Sequence, residues 1–258
     1  MTKTATIIRF DPQGPDGLET WEEMNYASLV SGEPVQRGHI YHEIEAQGYL
    51  AGVWDCTAFT DQMMPYPVDE YMLFLKGDLS MVLPDGREID IRAGDAFVIP
   101  KGFMCQWKQP GPVHKIFMIL DGPVPDAENA SLRRITVPDL SAPDGADVTA
   151  SRTDFLNAAG TMRVEVQSFG ATTQPGKKAS ENMLISVLEG RLSLHDGLEA
   201  HEFLPGDTAY IHQNDSVSWE TDAGTRVITA SYIDMAEAQV SANSSSTSDM
   251  ASVRMSNI

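Results

Sequence analysis

Residues 94–102 read Gly-Asp-Ala-Phe-Val-Ile-Pro-Lys-Gly, and a second Gly-Asp pair begins 112 residues after the first. A tryptophan follows each of these pairs at the same distance, at Trp107 and Trp219. Further upstream, a Leu-x-Gly-x-Leu segment centred on Gly77 is matched by one centred on Gly190, 113 residues later. This period is much longer than that of a solenoid repeat, so the sequence indicates a duplicated domain.

Each copy is predicted to consist of short strands. Apolar or alternating segments occupy residues 72–75, 79–83, 87–91, 96–99 and 115–120 in the first copy, and residues 183–188, 192–194, 209–211 and 226–232 in the second. Asp-Gly pairs at Asp85 and Asp196 mark turns, because glycine accepts a positive φ. Many short strands separated by frequent turns predict an all-β sandwich or barrel.

Helix is expected only at residues 18–26, with Asp16 as a possible N-cap, and at residues 235–242. The proline-rich connection between the copies is predicted to hold one strand, at residues 134–137. The predicted division is a first barrel with an N-terminal extension over residues 1–122, a linker over 123–147, a second barrel over 148–235 and a disordered, Ser- and Asn-rich tail over 236–258.

The composition excludes several classes of partner. The chain has 258 residues, 18 basic and 37 acidic, and a formal net charge of −19. Nucleic acid and anionic membranes would be repelled, so we expect a small-molecule ligand instead. No apolar run approaches the roughly 18 residues of a membrane span, and no signal peptide is visible, so we expect a cytoplasmic protein. Two cysteines cannot form a disulfide framework.

Residues 94–102 resemble the second motif of the cupin superfamily, G-x5-P-x-G-x2-H-x3-N. Glu70 followed by Gly77 resembles the end of the first motif, H-x-H-x3–4-E-x6-G. With two copies, the chain is similar to a bicupin, and the resemblance implies an all-β fold of two tandem double-stranded β-helix, or jelly-roll, barrels. Cupins associate through strand edges, so the resemblance also implies a homodimer.

A narrower resemblance lies in Gly52-Val-Trp54-Asp-Cys56, in Asp69-Glu70-Tyr71, and in Trp107 with Lys115. These segments are similar to the cupin domain of the (S)-ureidoglycine aminohydrolase type. The resemblance is strong over residues 35–120 and weaker over 150–233. It implies a role in the metabolism of a small polar, nitrogen-containing compound.

Metal-dependent cupins place three histidines and a glutamate inside the barrel, and here only the glutamate is present, as Glu70. The other positions of the first copy are Met64 and Tyr66 (or, with the alternative spacing, Met63 and Pro65) and Cys105. The corresponding positions of the second copy are Lys177 and Ala179 (or Gly176 and Lys178), Met183 and Val217. We therefore expect neither a metal ion nor another cofactor.

The candidate ligand-binding residues of the first barrel are Trp54, Tyr66, Glu70, Met72, Cys105, Trp107 and Lys115. Glu70, Cys105 and Lys115 are also the catalytic candidates. The tryptophans are either cavity walls or barrel filler, and the cysteine is either a nucleophile or a small buried residue. Three functions stay open: a metal-free enzyme, a non-catalytic ligand sensor, and a structural module with packed barrels.

A glutamate inside a metal-free barrel needs a compensating charge, because an unpaired buried carboxylate is costly. Lys115 is the predicted partner of Glu70, since it shares strand parity with Phe117 and Ile119 and all three would face inward. The second copy lacks both charges, with Met183 and Val227 at the equivalent positions.

The histidines do not form a recognisable site. His39 and His42 are three residues apart on a predicted strand, where they would point to opposite faces, and both are expected at the surface. His195 and His201 flank a hairpin, and His114 begins a strand with no second ligand nearby in the sequence.

Overall fold

The computed structural model describes residues 7–122, 136–143 and 149–235. Its first half contains thirteen strands: β1 (Ile7–Phe10), β2 (Glu19–Thr20), β3 (Leu29–Gly32), β4 (Gln36–Ile44), β5 (Tyr49–Cys56), β6 (Phe59–Asp61), β7 (Met64–Pro65), β8 (Asp69–Lys76), β9 (Asp78–Val82), β10 (Glu88–Arg92), β11 (Ala96–Ile99), β12 (Met104–Gln109) and β13 (Val113–Leu120).

The second half contains nine strands: β14 (Ala150–Leu156), β15 (Met162–Phe169), β16 (Thr172–Lys178), β17 (Asn182–Glu189), β18 (Leu192–His195), β19 (Ala200–Phe203), β20 (Thr208–Ile211), β21 (Ser216–Thr221) and β22 (Thr225–Tyr232). Single 3-10 turns lie at Tyr26–Ser28 and Glu45–Gln47. None of the described residues belongs to a helix long and apolar enough to cross a membrane.

Both halves have the same sheet order. The larger sheet of the first half runs β11-β8-β13-β5-β4-β2, and that of the second half contains β20-β17-β22-β15-β14. The smaller sheets run β10-β9-β12-β6-β3 and β19-β18-β21-β16. The predicted all-β fold of two tandem barrels is thereby confirmed, as are the strands predicted on either side of Gly77 and Gly190.

The central strands are buried on both faces, which explains why their sequences are continuously apolar. On β8, Met72 and Phe74 belong to the core of the first barrel, whereas Tyr71 and Leu73 belong to a cluster shared by the two barrels. The shared cluster also takes residues from the second half, among them Tyr210, and the second barrel has a further core of its own. The larger sheets therefore pack against each other.

The N-terminal extension crosses to the other barrel. β1 pairs antiparallel with β20, so the predicted assignment of residues 1–122 to the first barrel does not hold for this strand. The equivalent edge of the first barrel, β11, forms a bridge from Val98 to Thr136. The same sheet edge is thus covered in both barrels. An uncovered strand edge is a site of aggregation, which is the physical reason why β1 crosses to the second barrel. Of the strand predicted at 134–137, only this bridge is seen, and residues 134 and 135 lie outside the described part.

The helix predicted at residues 18–26 was wrong. Glu19–Thr20 forms β2 on the edge of β4, and the chain then turns at Tyr26–Ser28, capped by the Asn25 side chain. Trp21 packs edge to face against Phe117, with ring centroids 6.3 Å apart, so this segment covers the first barrel. The helix predicted at 235–242 lies outside the described residues apart from residue 235, and so does the tail over 236–258.

The duplicated glycine at the β8–β9 turn is required by its surroundings. Gly77 has φ +82°, and a Cβ atom there would lie 2.2 Å from the Pro112 carbonyl oxygen. Gly86 has a similar φ of +83° with open space around it. Gly77 therefore combines a left-handed conformation with a close backbone contact, whereas Gly86 has only the first.

We predict that Gly77→Ala lowers the free energy of unfolding by about 2 kcal/mol more than Gly86→Ala, which itself costs about 1–2 kcal/mol through the left-handed backbone. Urea denaturation of the two variants measures the difference. Equal losses would show that the Pro112 contact relaxes without cost.

Candidate functional site

A cavity of about 240 Å³ opens into the first barrel. Its aromatic walls are Trp21, Trp54, Phe59, Trp107 and Phe117. Its polar side chains are Gln36, Asp61, Tyr66, Glu70 and Lys115. A largely apolar cavity with a few converging polar groups is the typical form of a small-molecule site.

A buried ion pair lies at this cavity. The Lys115 ammonium is 2.8 Å from Glu70 Oε1, and the two residues are 5% and 4% exposed. The predicted Glu70–Lys115 pairing is confirmed. So is the predicted parity of β13, because Lys115, Phe117 and Ile119 all line the cavity. The two charges come from adjacent antiparallel strands, β8 and β13. Ile119 lies opposite Glu70 and Lys115 lies opposite Phe74, so the long lysine side chain reaches along β8, past Met72, to the carboxylate.

Further contacts stabilise both charges. The Tyr66 hydroxyl donates a hydrogen bond to Glu70 Oε2, so both carboxylate oxygens of Glu70 are engaged. The Lys115 ammonium also lies 3.1 Å from Met72 Sδ. Burial, followed by the nearby Glu70, raises the pKa of Tyr66 well above its usual value, so Tyr66 acts as a neutral donor.

The two predicted tryptophans enclose the lysine. Lys115 Nζ lies 4.6 Å from the ring centroid of Trp54 and 4.9 Å from that of Trp107. The two rings are almost perpendicular, at 87°. Cation–π attraction is strongest where water is excluded, and both rings attract the buried ammonium in this way. Both tryptophans therefore line the cavity and also stabilise the buried charge.

Asp61 is a polar residue of the cavity that sequence reasoning missed. It ends the three-residue strand β6, in the sheet that faces the Glu70–Lys115 pair. Burial raises the pKa of Asp61 to about 6, so this carboxyl group changes protonation near neutral pH. Gln36, Trp21 and Met24 were also missed, because residues 18–26 were interpreted as a helix and β4 carried no chemical signal.

The cysteines do not line the cavity. Cys56 and Cys105 are both buried and free. Burial is the main cause that raises the pKa of each thiol to about 12, so both are neutral at physiological pH. A neutral buried thiol is not a nucleophile, and the structure favours the interpretation of Cys105 as a small core residue. Met72 is likewise buried and contributes only through its contact with Lys115.

The residues of the first barrel do not fit the usual cupin metal. Tyr66, at a histidine position of the motif, faces the cavity but is committed to Glu70. Within the described ranges there is no group of three or more His, Cys, Asp or Glu side chains arranged to hold a metal ion. The ammonium group of Lys115 is instead the cation that contacts Glu70.

The predicted positions in the second copy do face a cavity. Lys177, Lys178, Ala179, Met183 and Val217 all line a space of about 330 Å³ in the second barrel. Val227, the counterpart of Lys115, is buried in the second core.

His42 is half-buried between the barrels, whereas a surface position was predicted. Its Nδ1 lies 2.6 Å from the Tyr210 hydroxyl, and its ring centroid is 4.5 Å from that of His212. Burial and then His212 lower the pKa of His42 to about 4, so the ring is neutral. The β4–β5 register shifts between Ile40 and His42, which invalidates the parity that predicted its position.

Comparison with known proteins agrees with the two-barrel fold. Residues 45–117 match the family model of the EutQ-like cupin domain. The chain contains a cupin domain. A comparison with curated proteins gave no match.

Solved structures show the same fold over most of the chain. A protein of unknown function of the DUF861 family from Pseudomonas syringae pv. tomato has a TM-score of 0.65 at 18% identity, over 88% of this chain and 100% of its own. Ylba from E. coli, also of the DUF861 family, has 0.55 at 11%, over 90% and 93%. Salicylate 1,2-dioxygenase from Pseudaminobacter salicylatoxidans has 0.52 at 12%, over 76% and 76%. These identities establish the shared cupin fold and no activity.

We predict that Lys115→Met lowers the free energy of unfolding by about 3–5 kcal/mol, because it leaves the Glu70 carboxylate buried without its partner. The double variant Lys115→Met/Glu70→Gln should lose less than the sum of the two single losses. Lys108→Met is the control, because the ammonium of Lys108 pairs with Glu88 at the surface and is worth less than about 1 kcal/mol. Additive losses in urea denaturation would contradict the coupling.

We predict a pH dependence of stability that originates at Asp61. Its pKa is raised in the folded state, so the folded chain holds this proton more tightly than the unfolded chain does. The stabilisation is fully present below about pH 4 and is lost as the pH rises through about 6. The difference in unfolding free energy between wild type and Asp61→Asn should therefore decline across this range. A difference that does not vary with pH would contradict the assignment.

Proposed function

We propose that the first barrel binds a small polar metabolite without a metal ion. The observation that carries the proposal is the buried Lys115–Glu70–Tyr66 network at a cavity with aromatic walls. Cupin barrels commonly use a metal cation to attract ligand oxygens. Here Lys115 supplies a positive charge at the same glutamate.

Lys115 can serve a ligand directly. An ammonium group can donate three hydrogen bonds, and that of Lys115 donates two of them, to Glu70 and to Met72. The third can be donated to a carbonyl or carboxylate oxygen of a ligand in the cavity. The planes of Trp21 and Trp54 would enclose a flat or partly apolar body, and Gln36 provides an amide for orientation.

Asp61 supports a catalytic version of this function. A carboxyl group with a pKa of about 6 can accept or donate a proton near neutral pH, which general acid–base catalysis requires. Lys115 would stabilise negative charge that develops on a ligand oxygen. Asp61 would accept a proton from the bound ligand or donate one to it. The hydrogen bond from Tyr66 would hold the carboxylate of Glu70 in place.

The resemblance to the ureidoglycine aminohydrolase cupin domain supports a ligand with amide or ureido groups. Of the residues that carry this resemblance, Trp54, Glu70, Trp107 and Lys115 line the cavity. We propose such a compound as the ligand class, bound in the cytoplasm by a homodimeric protein. The alternative is a sensor or a structural module, and the open space of about 240 Å³ favours ligand binding over a packed barrel.

The test is a binding screen on chelator-treated protein, with small amides, ureides and amino acids detected by ligand-observed NMR. We expect a ligand to bind, and Glu70→Gln to weaken its binding at least about tenfold, or roughly 1.4 kcal/mol, under conditions in which the variant is folded. Glu88→Gln, at a surface ion pair, is the matched control and should bind normally.

Two outcomes would contradict this function. One is unchanged ligand binding in folded Glu70→Gln, which would make the ion pair structural only. The other is a divalent metal at about one per chain that survives chelation and is needed for binding.

A further inference from the structure

The second barrel contains a cavity that the proposed function does not use. Its volume is about 330 Å³, against about 240 Å³ in the first barrel. Its apolar surface comes from Phe169, Met183, Ile211, Val217 and Trp219. Phe169, Ile211 and Val217 are buried, so this surface is part of the barrel core and not of the outer face.

The charge of this cavity is opposite to that of the chain. The protein carries a net charge of −19, yet Lys177 and Lys178 line the cavity and no Asp or Glu side chain does. Among the residues that the structure describes, neither lysine has an acidic partner within ion-pair distance. Glu181, which follows this segment, is buried and is held by Arg163 at 2.8 Å. The cavity therefore offers two uncompensated positive charges.

A bulge in β16 places one of these lysines on the inner face. Gln174 lies opposite Trp219 on β21, and Lys177 lies opposite Val217. Residues directly opposite each other on paired strands share a face of the sheet. Gln174 and Lys177 are three residues apart, which would put them on opposite faces of a regular strand. The register shift between them keeps both on the face that carries Trp219 and Val217. Lys177 is thereby set against the apolar surface.

We propose that the second barrel is a metal-independent binding site for a small organic carboxylate with an apolar body. Lys177 would bind the carboxylate through a charge-assisted hydrogen bond. Lys178 lies opposite Ser216 and therefore on the other face of β16, but it borders the cavity and would add positive charge there. Trp219 and Phe169 would contact the apolar body, and the amides of Gln167 and Gln174 would contact polar substituents. The apolar surface selects an organic anion over an inorganic one. Only a ligand with an apolar body removes this surface from water, and a hydrated inorganic ion gives no such gain in binding free energy.

The test uses benzoate, phenylacetate and cyclohexanecarboxylate, each compared by calorimetric titration with its neutral amide. We expect at least one carboxylate to bind at least about tenfold more tightly than its amide. The double variant Lys177→Gln/Lys178→Gln should weaken this binding at least about tenfold, and added salt should weaken it as well. Both side chains are exposed, so the variant is expected to fold.

One control separates this site from other effects. Lys76→Gln/Lys108→Gln changes the net charge equally and removes lysines outside the cavity, so it should alter the affinity less than about twofold. The proposal is overturned if no carboxylate binds at about 10 mM, if the amides bind equally well, or if both double variants lose the same affinity.

Discussion

The interior of the first barrel is organised around an ammonium group buried between two indole rings. Removing Lys115 and Glu70 from water costs several kcal/mol per ion, and their mutual attraction offsets this only if the remaining lone pairs and protons are also engaged. Tyr66 engages the second oxygen of Glu70, and the rings of Trp54 and Trp107 contact the ammonium group. These side chains are consequently constrained by one another as well as by the barrel. A metal ion bound to Glu70 would have to displace Lys115 from the carboxylate.

The two barrels differ in the charges of their interiors. The second keeps the sheet order but has Met183 and Val227 where the first has its ion pair, so these two positions carry no charge. Its positive groups, Lys177 and Lys178, are exposed residues of β16 and keep contact with water. One cavity thus holds a cation inside a neutralised network, and the other presents cations above an apolar core. A shared fold does not imply a shared ligand.

Some features could be predicted because they depend on local pattern. Strand parity on β13 predicted that Lys115 faces inward, and the period of about 112 residues predicted a duplicated domain, for which the cupin resemblance implied two barrels. Other features depend on contacts distant in sequence. The pairing of β1 with β20 has no local signal, and Asp61 acquires its perturbed pKa only from burial in the assembled barrel. At His42 a bulge broke the parity on which the prediction rested.

The barrels are also joined by polar contacts inside their shared core. The hydroxyl groups of Tyr49 and Tyr210 are 2.8 Å apart, and His42 is bonded to the second of them. A buried hydroxyl without a partner is costly, so separating the larger sheets would expose apolar surface and break this chain of hydrogen bonds together. Because of these contacts and the pairing of β1 with β20, we expect the two barrels to unfold as one cooperative unit. Ligand binding in either cavity then stabilises the whole chain, because the free energy of binding is available only while both barrels are folded.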